Sequence, residues 1–289
     1  RVLFDGLLNS RDLGLMPILN GKGQFKSKVF LRMDSPSALT PSQVKSLKDY
    51  GVDTVIDLRS SAEVEYYGNP FINDGDVLFA NIPLFVGNPD DENDATMNML
   101  RTHTLGDFYV LLIEELGPRV KEVFELIFAR LEKASLDPSK DHIIAFHCAH
   151  GKDRTGVVAA MLYLIAGASR EDIIANYACS YGFLKPMLDP LIEKKETCLK
   201  HTLRSDAHNM ETFLNHVDSK YGGKICHKKR SLLAPFLLLR LLADVSQNAA
   251  VHIQDVAVDE VGGVGGQEHG GAAQVVRLAP ALSGGLGDD

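Results

Sequence analysis

An α/β fold, with a central, mostly parallel sheet of about four or five strands flanked by helices on both faces, is predicted from three observations. Short apolar or β-branched runs alternate with stretches of helical spacing through residue 177. Helix starts and stops are marked by capping residues and glycines at matching places. The run from His147 to Gly156 sits between an apolar, strand-like segment and a helical one, a placement that suits an anion-binding turn.

Taken in order, Val29 to Leu31 and Thr54 to Leu58 read as short buried strands. Between them Thr40-Pro41-Ser42-Gln43 starts a helix, with Thr40 as cap, proline at the first position and Gln43 closing a capping box; Gly51 ends it. Val77 to Pro83 is a third largely buried strand. Leu111, Leu112, Val120, Val123, Phe124, Ile127, Phe128 and Leu131 keep helical spacing over 107–133, broken near Gly117-Pro118, so a pair of helices precedes the fourth strand, His142 to Phe146. Val157 to Ala166 is an apolar helix ended by Gly167, and Ser169 with Asp172 caps the next through Tyr177. Residues 84–106 form a polar, turn-rich connection too long for a plain strand-to-helix loop. It reads as a lid whose apolar face is Met97, Met99 and Leu100. Tyr66 and Tyr67 read as packing at a strand end, ahead of lining a pocket.

The chemistry lies in His147-Cys148-Ala149-His150-Gly151-Lys152-Asp153-Arg154-Thr155-Gly156. Successive backbone N–H groups from Ala149 to Thr155 can turn inward around a tetrahedral oxyanion, and the following helix points its positive end at the same place. That field favours the thiolate at Cys148, the candidate nucleophile. Arg154 offers a planar fork able to hold two phosphate oxygens at once. Gly151 tolerates a positive φ where the loop bends, and Thr155 can hydrogen-bond the departing sulfur. The anion-binding set is thus Ala149, His150, Gly151, Lys152, Asp153, Arg154 and Thr155 around Cys148, and the anion is a phosphate monoester. His147 orients the loop by bonding to backbone, and His150 is a wall residue. No metal and no cofactor are expected: His147, Cys148 and His150 lie too close together on one loop to supply a tetrahedral set, and no Cys-x2-Cys pair exists elsewhere.

The His-Cys-x5-Arg run resembles the signature of the cysteine-dependent protein tyrosine phosphatase superfamily. With Lys152-Asp153 before the arginine, it resembles the tyrosine and dual-specificity phosphatases typified by secreted bacterial virulence enzymes. Asn9-Ser10-Arg11-Asp12-Leu13-Gly14 is similar to that family's Asn-Phe-Arg-Asp-Leu-Gly, with Ser10 in place of the aromatic. Val29 to Asp34 is similar to its Leu-Phe-Arg-Ser strand, and Thr54 to Ser60 to its Val-Ile-Asp-Leu-Arg-Ser strand end. The resemblance covers residues 3–224, and implies a catalytic domain of the tyrosine phosphatase fold. It further implies a two-step mechanism through a phosphocysteine on Cys148 and a phosphorylated protein or phosphoinositide as substrate. The general acid is then Asp153, favoured, or Asp57. The other reading of Asp57 is an ion pair with Arg59 or Arg11, which would make those arginines supports of the strand end. Lys152 would contact a second phosphate or an inositol phosphate; its other reading is an exposed lysine.

A chain of 289 residues with 45% hydrophobic residues buries a full core. Its net charge of −8 argues against a nucleic-acid partner. Cys148, Cys179, Cys198 and Cys226 show no disulfide pattern and fit a reducing, cytoplasmic compartment, with Cys179 read as a core thiol. The chain opens on Arg1; a signal peptide would already be absent, which leaves secretion open as well. Residues 225–289 depart from the family pattern. The apolar run Leu232 to Ala243 is too short to span a bilayer and carries Arg240, and from about residue 250 the composition is that of a flexible Gly/Ala/Val tail. Oligomeric state has no signature. Two other functions fit the loop less well: a phosphate-binding module without turnover, against which the intact Cys148, Asp153 and Arg154 argue, and sulfur transfer or arsenate reduction, against which Lys-Asp-Arg-Thr-Gly argues.

Overall fold

The order of strands in the sheet decides where the loop opens. In the computed structural model, which describes residues 2–18, 23–85, 94–137, 139–221 and 243–244, the main sheet is built from β1 (Arg11–Asp12), β4 (Phe30–Met33), β5 (Val52–Asp57), β6 (Leu78–Asn81) and β7 (Ile143–His147) in the order β1-β4-β7-β5-β6. Only the β1–β4 pairing is antiparallel; the β4–β7, β7–β5 and β5–β6 pairings are parallel. The registers Met33↔His147 and Asp57↔His147 bring the carboxyl ends of β4, β5 and β7 level. In an open parallel sheet this is the edge at which ligands bind. A second, antiparallel sheet joins β2 (Pro17–Ile18), β3 (Gly23–Phe25) and β8 (Ala243–Asp244).

Residue alternation sends each central strand to two cores. On β7, Ile143 and Ala145 face the smaller cluster with Leu31, Met33, Leu47 and Val55, while Ile144 and Phe146 face the larger one with Phe30, Ile56, Val157 and Phe213. All five residues of β7 are buried, and each large apolar side chain so placed contributes about 1.5–3 kcal/mol relative to exposure. The smaller core is covered by α1 (Pro41–Tyr50), which has the expected capping box at Thr40 and Gln43 and a left-handed Gly51. The larger core is covered by α4 (Leu105–Glu115), α5 (Gly117–Leu136), α6 (Arg154–Ala166), α7 (Arg170–Lys194) and α8 (Ala207–Tyr221). Helices therefore lie on both faces. At Gly106 the backbone of α4 comes against α8: a Cβ there would stand 2.7 Å from Thr212 Cβ and 3.0 Å from Asn209 O.

Several expectations are corrected. The third strand is a half-exposed edge, with Leu78 42% accessible, because β6 has a neighbour only in β5. The helix expected to run through Tyr177 continues to Lys194 across Pro186 and Pro190, seated by Ser180, Leu184 and Leu188. The short helix α2 (Ser61–Tyr67), with its own capping box from Ser60 to Glu63, was not anticipated, nor were α8 and the 3-10 turn Thr197–Leu203. Of the segment read as a lid, residues 86–93 lie outside the described ones. Its C-terminal part is α3 (Ala95–Leu100), whose Met97 and Leu100 belong to the larger core with Met99 packed against it. The C-terminal segment 225–289 lies outside the described residues except for β8. Among the described residues no helix is long and apolar enough to cross a membrane.

Candidate active site

The loop from Cys148 to Asp153 leaves the end of β7 and enters α6 at Arg154. Its carbonyl groups are drawn to one side by named donors. Ala149 O accepts from Ser35 N at 3.0 Å. Asn9 Nδ2 donates to His150 O at 2.9 Å and to Gly151 O at 3.1 Å. Arg32 Nη2 donates to Gly151 O at 2.7 Å and to Lys152 O at 3.4 Å. Each of these peptides is trans, so the N–H groups of His150, Gly151, Lys152 and Asp153 point the opposite way. They lie on the side of the loop away from Ser35, Asn9 and Arg32; Cys148, at the start of the loop, is 2% accessible. Gly151, at φ +62°, makes this close approach feasible: a Cβ there would lie 2.2 Å from Met33 O. His147 Nδ1 donates to Cys148 O at 3.0 Å. The buried ring has its pKa pushed down chiefly by desolvation, so it is neutral, and Nε2 accepts from Asn69 Nδ2 at 3.0 Å. His150, half-buried, is likewise pushed down to about 4 by burial and by Lys152. Thr155 Oγ1 is buried without a hydrogen-bond partner.

Arg154 is held by a residue that sequence reasoning missed. Its Nη1 and Nη2 donate to Glu63 Oε2 and Oε1 at 2.6 and 2.9 Å, a bidentate pair with both side chains buried. Glu63 is fixed in turn by the capping box of α2, where Ser60 N donates to Oε2 at 2.8 Å. The only sequence signal was Ser60-Ser61-Ala62-Glu63, a capping-box pattern with no chemical signature. Burial by itself would lower the guanidinium's pKa, but Cys148 and Glu63 raise it further than burial lowers it. The Phe85 ring lies over the guanidinium at 5.5 Å.

The two candidate acids are placed differently. Asp57, at the end of β5 and wholly buried, is the partner of Arg59, whose Nε and Nη2 donate to it at 3.0 and 2.7 Å; Asn69 Nδ2 adds a bond at 3.0 Å. Arg59 also ties Asp57 to Gly68 O at 2.8 Å. Arg11 does not join this pair: it bonds to Asn9, to Asn176 O at 3.0 Å and to Ser180 Oγ at 2.8 Å, behind the loop. Asp153, 19% accessible, accepts at Oδ1 from Tyr109 OH at 2.5 Å and from Lys152 Nζ at 2.8 Å. Tyr109 is itself paired with Tyr177 at 2.6 Å. Neither tyrosine was singled out from sequence. Lys152 is wholly buried, and its other ammonium bonds go to Thr202 O and Arg204 O at 2.9 and 2.7 Å. Its head group is therefore shared between Asp153 and the end of the 3-10 turn.

Two further expectations are corrected. Tyr66 and Tyr67 are 81% and 50% accessible and meet edge to face at 4.7 Å on α2, because the helix turns that side outward. Cys179 is exposed rather than in the core: α7 buries Tyr177 and Ser180 and turns Cys179 to the surface.

Asp57 and Glu63 also set an acid limit to stability. Burial alone would raise both carboxyls. Arg59 and Asn69 act against this on Asp57, Arg154 and Ser60 on Glu63, and both pKa values end below the ordinary 3.8 and 4.5. A depressed folded pKa contributes stability that is complete above the unfolded value and is lost as pH falls through the folded one. The melting temperature is thus expected to hold from pH 7 to about 5 and to fall below about 4, with a smaller fall in Asp57→Asn. Thermal denaturation across that range checks this.

A strand-loop-helix cradle with a buried cysteine and a carboxylate-clamped arginine, set at the carboxyl ends of a parallel sheet, defines the class of an α/β oxyanion-binding domain. The chain belongs to the tyrosine phosphatase family, whose family model matches residues 2–225. It is 30% identical over 156 residues to a tyrosine-protein phosphatase of Nostoc commune, covering 54% of this chain and 49% of that protein. It is 28% identical over 226 residues to an inferred tyrosine-protein phosphatase of Cupriavidus necator, covering 70% of this chain and 77% of that one. The match thus spans about half of the Nostoc protein's length and about three quarters of the other. Among solved structures, Pseudomonas aeruginosa TpbA aligns over 64% of this chain and 91% of its own, at 15% identity and a TM-score of 0.31.

Proposed function

We propose that this chain hydrolyses phosphate monoesters through a phosphocysteine, with protein phosphotyrosine as the leading substrate and phosphoserine, phosphothreonine or phosphoinositides as secondary ones. The observation that carries this is the outward turn of the loop carbonyls, which leaves the amides of residues 150–153 free to surround an oxyanion beside Cys148 and Arg154. Cys148 sulfur attacks phosphorus, forming S–P as the ester P–O bond breaks, and the departing oxygen takes a proton from Asp153. Water then attacks the thiophosphate, its proton passes to Asp153, and S–P breaks to release phosphate and the thiolate. Arg154, held in plane by Glu63, follows the equatorial oxygens through both steps.

Asp153 suits the acid role better than Asp57. Its two donors both reach Oδ1, so Oδ2 is the oxygen left to carry the proton, and it keeps some exposure. Asp57 is enclosed and engaged by Arg59 and Asn69. Replacing Asp153 with Asn is expected to lower kcat on phosphotyrosine by about 10²–10³-fold, with a smaller loss on aryl phosphates whose phenol leaves without protonation. Equal losses on both substrates would move the acid elsewhere. An aromatic substrate is favoured by the exposed Tyr66 and Tyr67, which follow Glu63 by about one helical turn. The engagement of Lys152 weighs against an inositol phosphate. Phosphate release from matched phosphotyrosine, phosphoserine and phosphoinositide substrates tests the reading: turnover fastest on phosphotyrosine is expected. No turnover from folded protein would leave a phosphate-binding module.

A further inference from the structure

The cradle is held from behind by side chains with no place in the reaction. Asn9 Nδ2 bridges the carbonyls of His150 and Gly151, and Arg32 Nη2 bridges those of Gly151 and Lys152. Asn9 is 0% and Arg32 1% accessible. Both are themselves fixed. Asn9 N donates to Asp34 Oδ1 at 2.9 Å, and Arg11 Nη1 donates to Asn9 Oδ1, which sets the amide so that its nitrogen faces the loop. Arg32 Nη1 donates to Asn176 Oδ1 at 2.8 Å. The acceptors of the Arg32 fork are thus carbonyl oxygens, none of them charged, although it is a buried cation. A buried guanidinium without a carboxylate at its fork is costly unless an anion lies near. The anion expected in the cradle, on the far side of one peptide layer, is that charge.

We propose that Asn9 and Arg32 are positioning residues of the oxyanion cradle: they pull three successive peptides into one orientation, and Arg32 places a charge behind the bound tetrahedral anion. The assignment rests on the reading of the loop as an oxyanion site. It follows from the planarity of the peptide, since a carbonyl bonded outward fixes the next N–H inward. Losing such a bond lets the peptide rotate and removes a donor aimed at the developing charge. It also explains why β1 and β4 precede a loop more than a hundred residues further on: Asn9 stands just before β1, Arg32 lies on β4, and both reach the same turn.

The test uses the full chain carrying Cys148→Ser, so that oxyanion affinity is read without turnover, with inorganic tungstate as the probe in isothermal titration. Asn9→Asp puts a carboxylate oxygen against His150 O and Gly151 O and is expected to weaken tungstate by more than tenfold. Asn9→Ser, too short to bridge both carbonyls, and Arg32→Lys, which keeps the charge but loses the fork, are each expected to weaken it by about tenfold. In the Cys148 background, kcat/KM should fall by the same factors, with kcat affected more than KM. Val123→Ala, a core truncation on α5, is the control: it should lower the melting temperature without changing tungstate affinity in the folded protein. If Asn9→Ser and Arg32→Lys lose thermal stability but bind tungstate as the parent does, the two residues are merely structural and the proposal is overturned. A wild type that releases no phosphate, yet binds tungstate in a manner dependent on Asn9 and Arg32, would refute the phosphatase reading and support this one.

Discussion

Cys148→Ser is expected to abolish phosphate release on every substrate, by about 10⁴-fold or more, while leaving phosphate and tungstate binding within a few-fold of wild type. Serine keeps the size of the side chain, so the buried pocket at the end of β7 is not disturbed. The hydroxyl stays protonated, however, and the adjacent His147 is not free to take its proton: it spends Nδ1 on Cys148 O and Nε2 on Asn69. Binding and chemistry are therefore separable at this position. Stopped assays for phosphate, run beside titration with tungstate, measure both. Residual turnover within tenfold of wild type would exclude a phosphocysteine.

The second large effect is expected at the arginine clamp. Arg154→Lys should reduce kcat/KM by about 10³-fold, because an ammonium cannot hold two equatorial oxygens and Glu63 at once. Glu63→Gln keeps one acceptor and should cost less in rate, about 10–100-fold, through a looser guanidinium. Glu63→Ala removes the charge partner of a buried arginine and should destabilise the fold by about 3–5 kcal/mol. Part of that loss should return on adding tungstate, because an anion that binds only the folded state raises its stability and here also replaces the missing charge. A melting temperature in Glu63→Ala that rises no more with tungstate than that of wild type would show that Glu63, and not the bound anion, is the guanidinium's sole counter-charge.

The candidate residues of the loop were legible in order along the chain, because the proposed nucleophile, bend glycine, acid and arginine lie on one strand-helix turn and are local in sequence. The elements carrying it were legible for the same reason. The Thr40–Gln43 capping box and the Gly117-Pro118 break depend on neighbours three or four residues away and appear where expected. The failures share a cause. Leu78 to Asn81 has the composition of a buried strand but sits at a sheet edge, a matter of strand order rather than residue type. Tyr66, Tyr67 and Cys179 read as packed side chains, yet their helices turn them outward.

From the sequence alone came the α/β class, the strand-loop-helix position of Cys148 and Arg154, and membership of a family with that loop, since each depends on spacing within a short window. Tertiary structure alone decided the partners. Glu63 lies 91 residues from Arg154, Asn9 141 residues from His150, and Tyr109 44 residues from Asp153. These contacts exist because parallel pairing brings the ends of β4, β5 and β7 level and packs α4 against α8, which no local pattern encodes. The same geometry tied Lys152 to Asp153 and to the carbonyls of Thr202 and Arg204, and enclosed Asp57. A charged side chain's role depends on which buried groups compete for its bonds, and those groups meet only once the chain has folded.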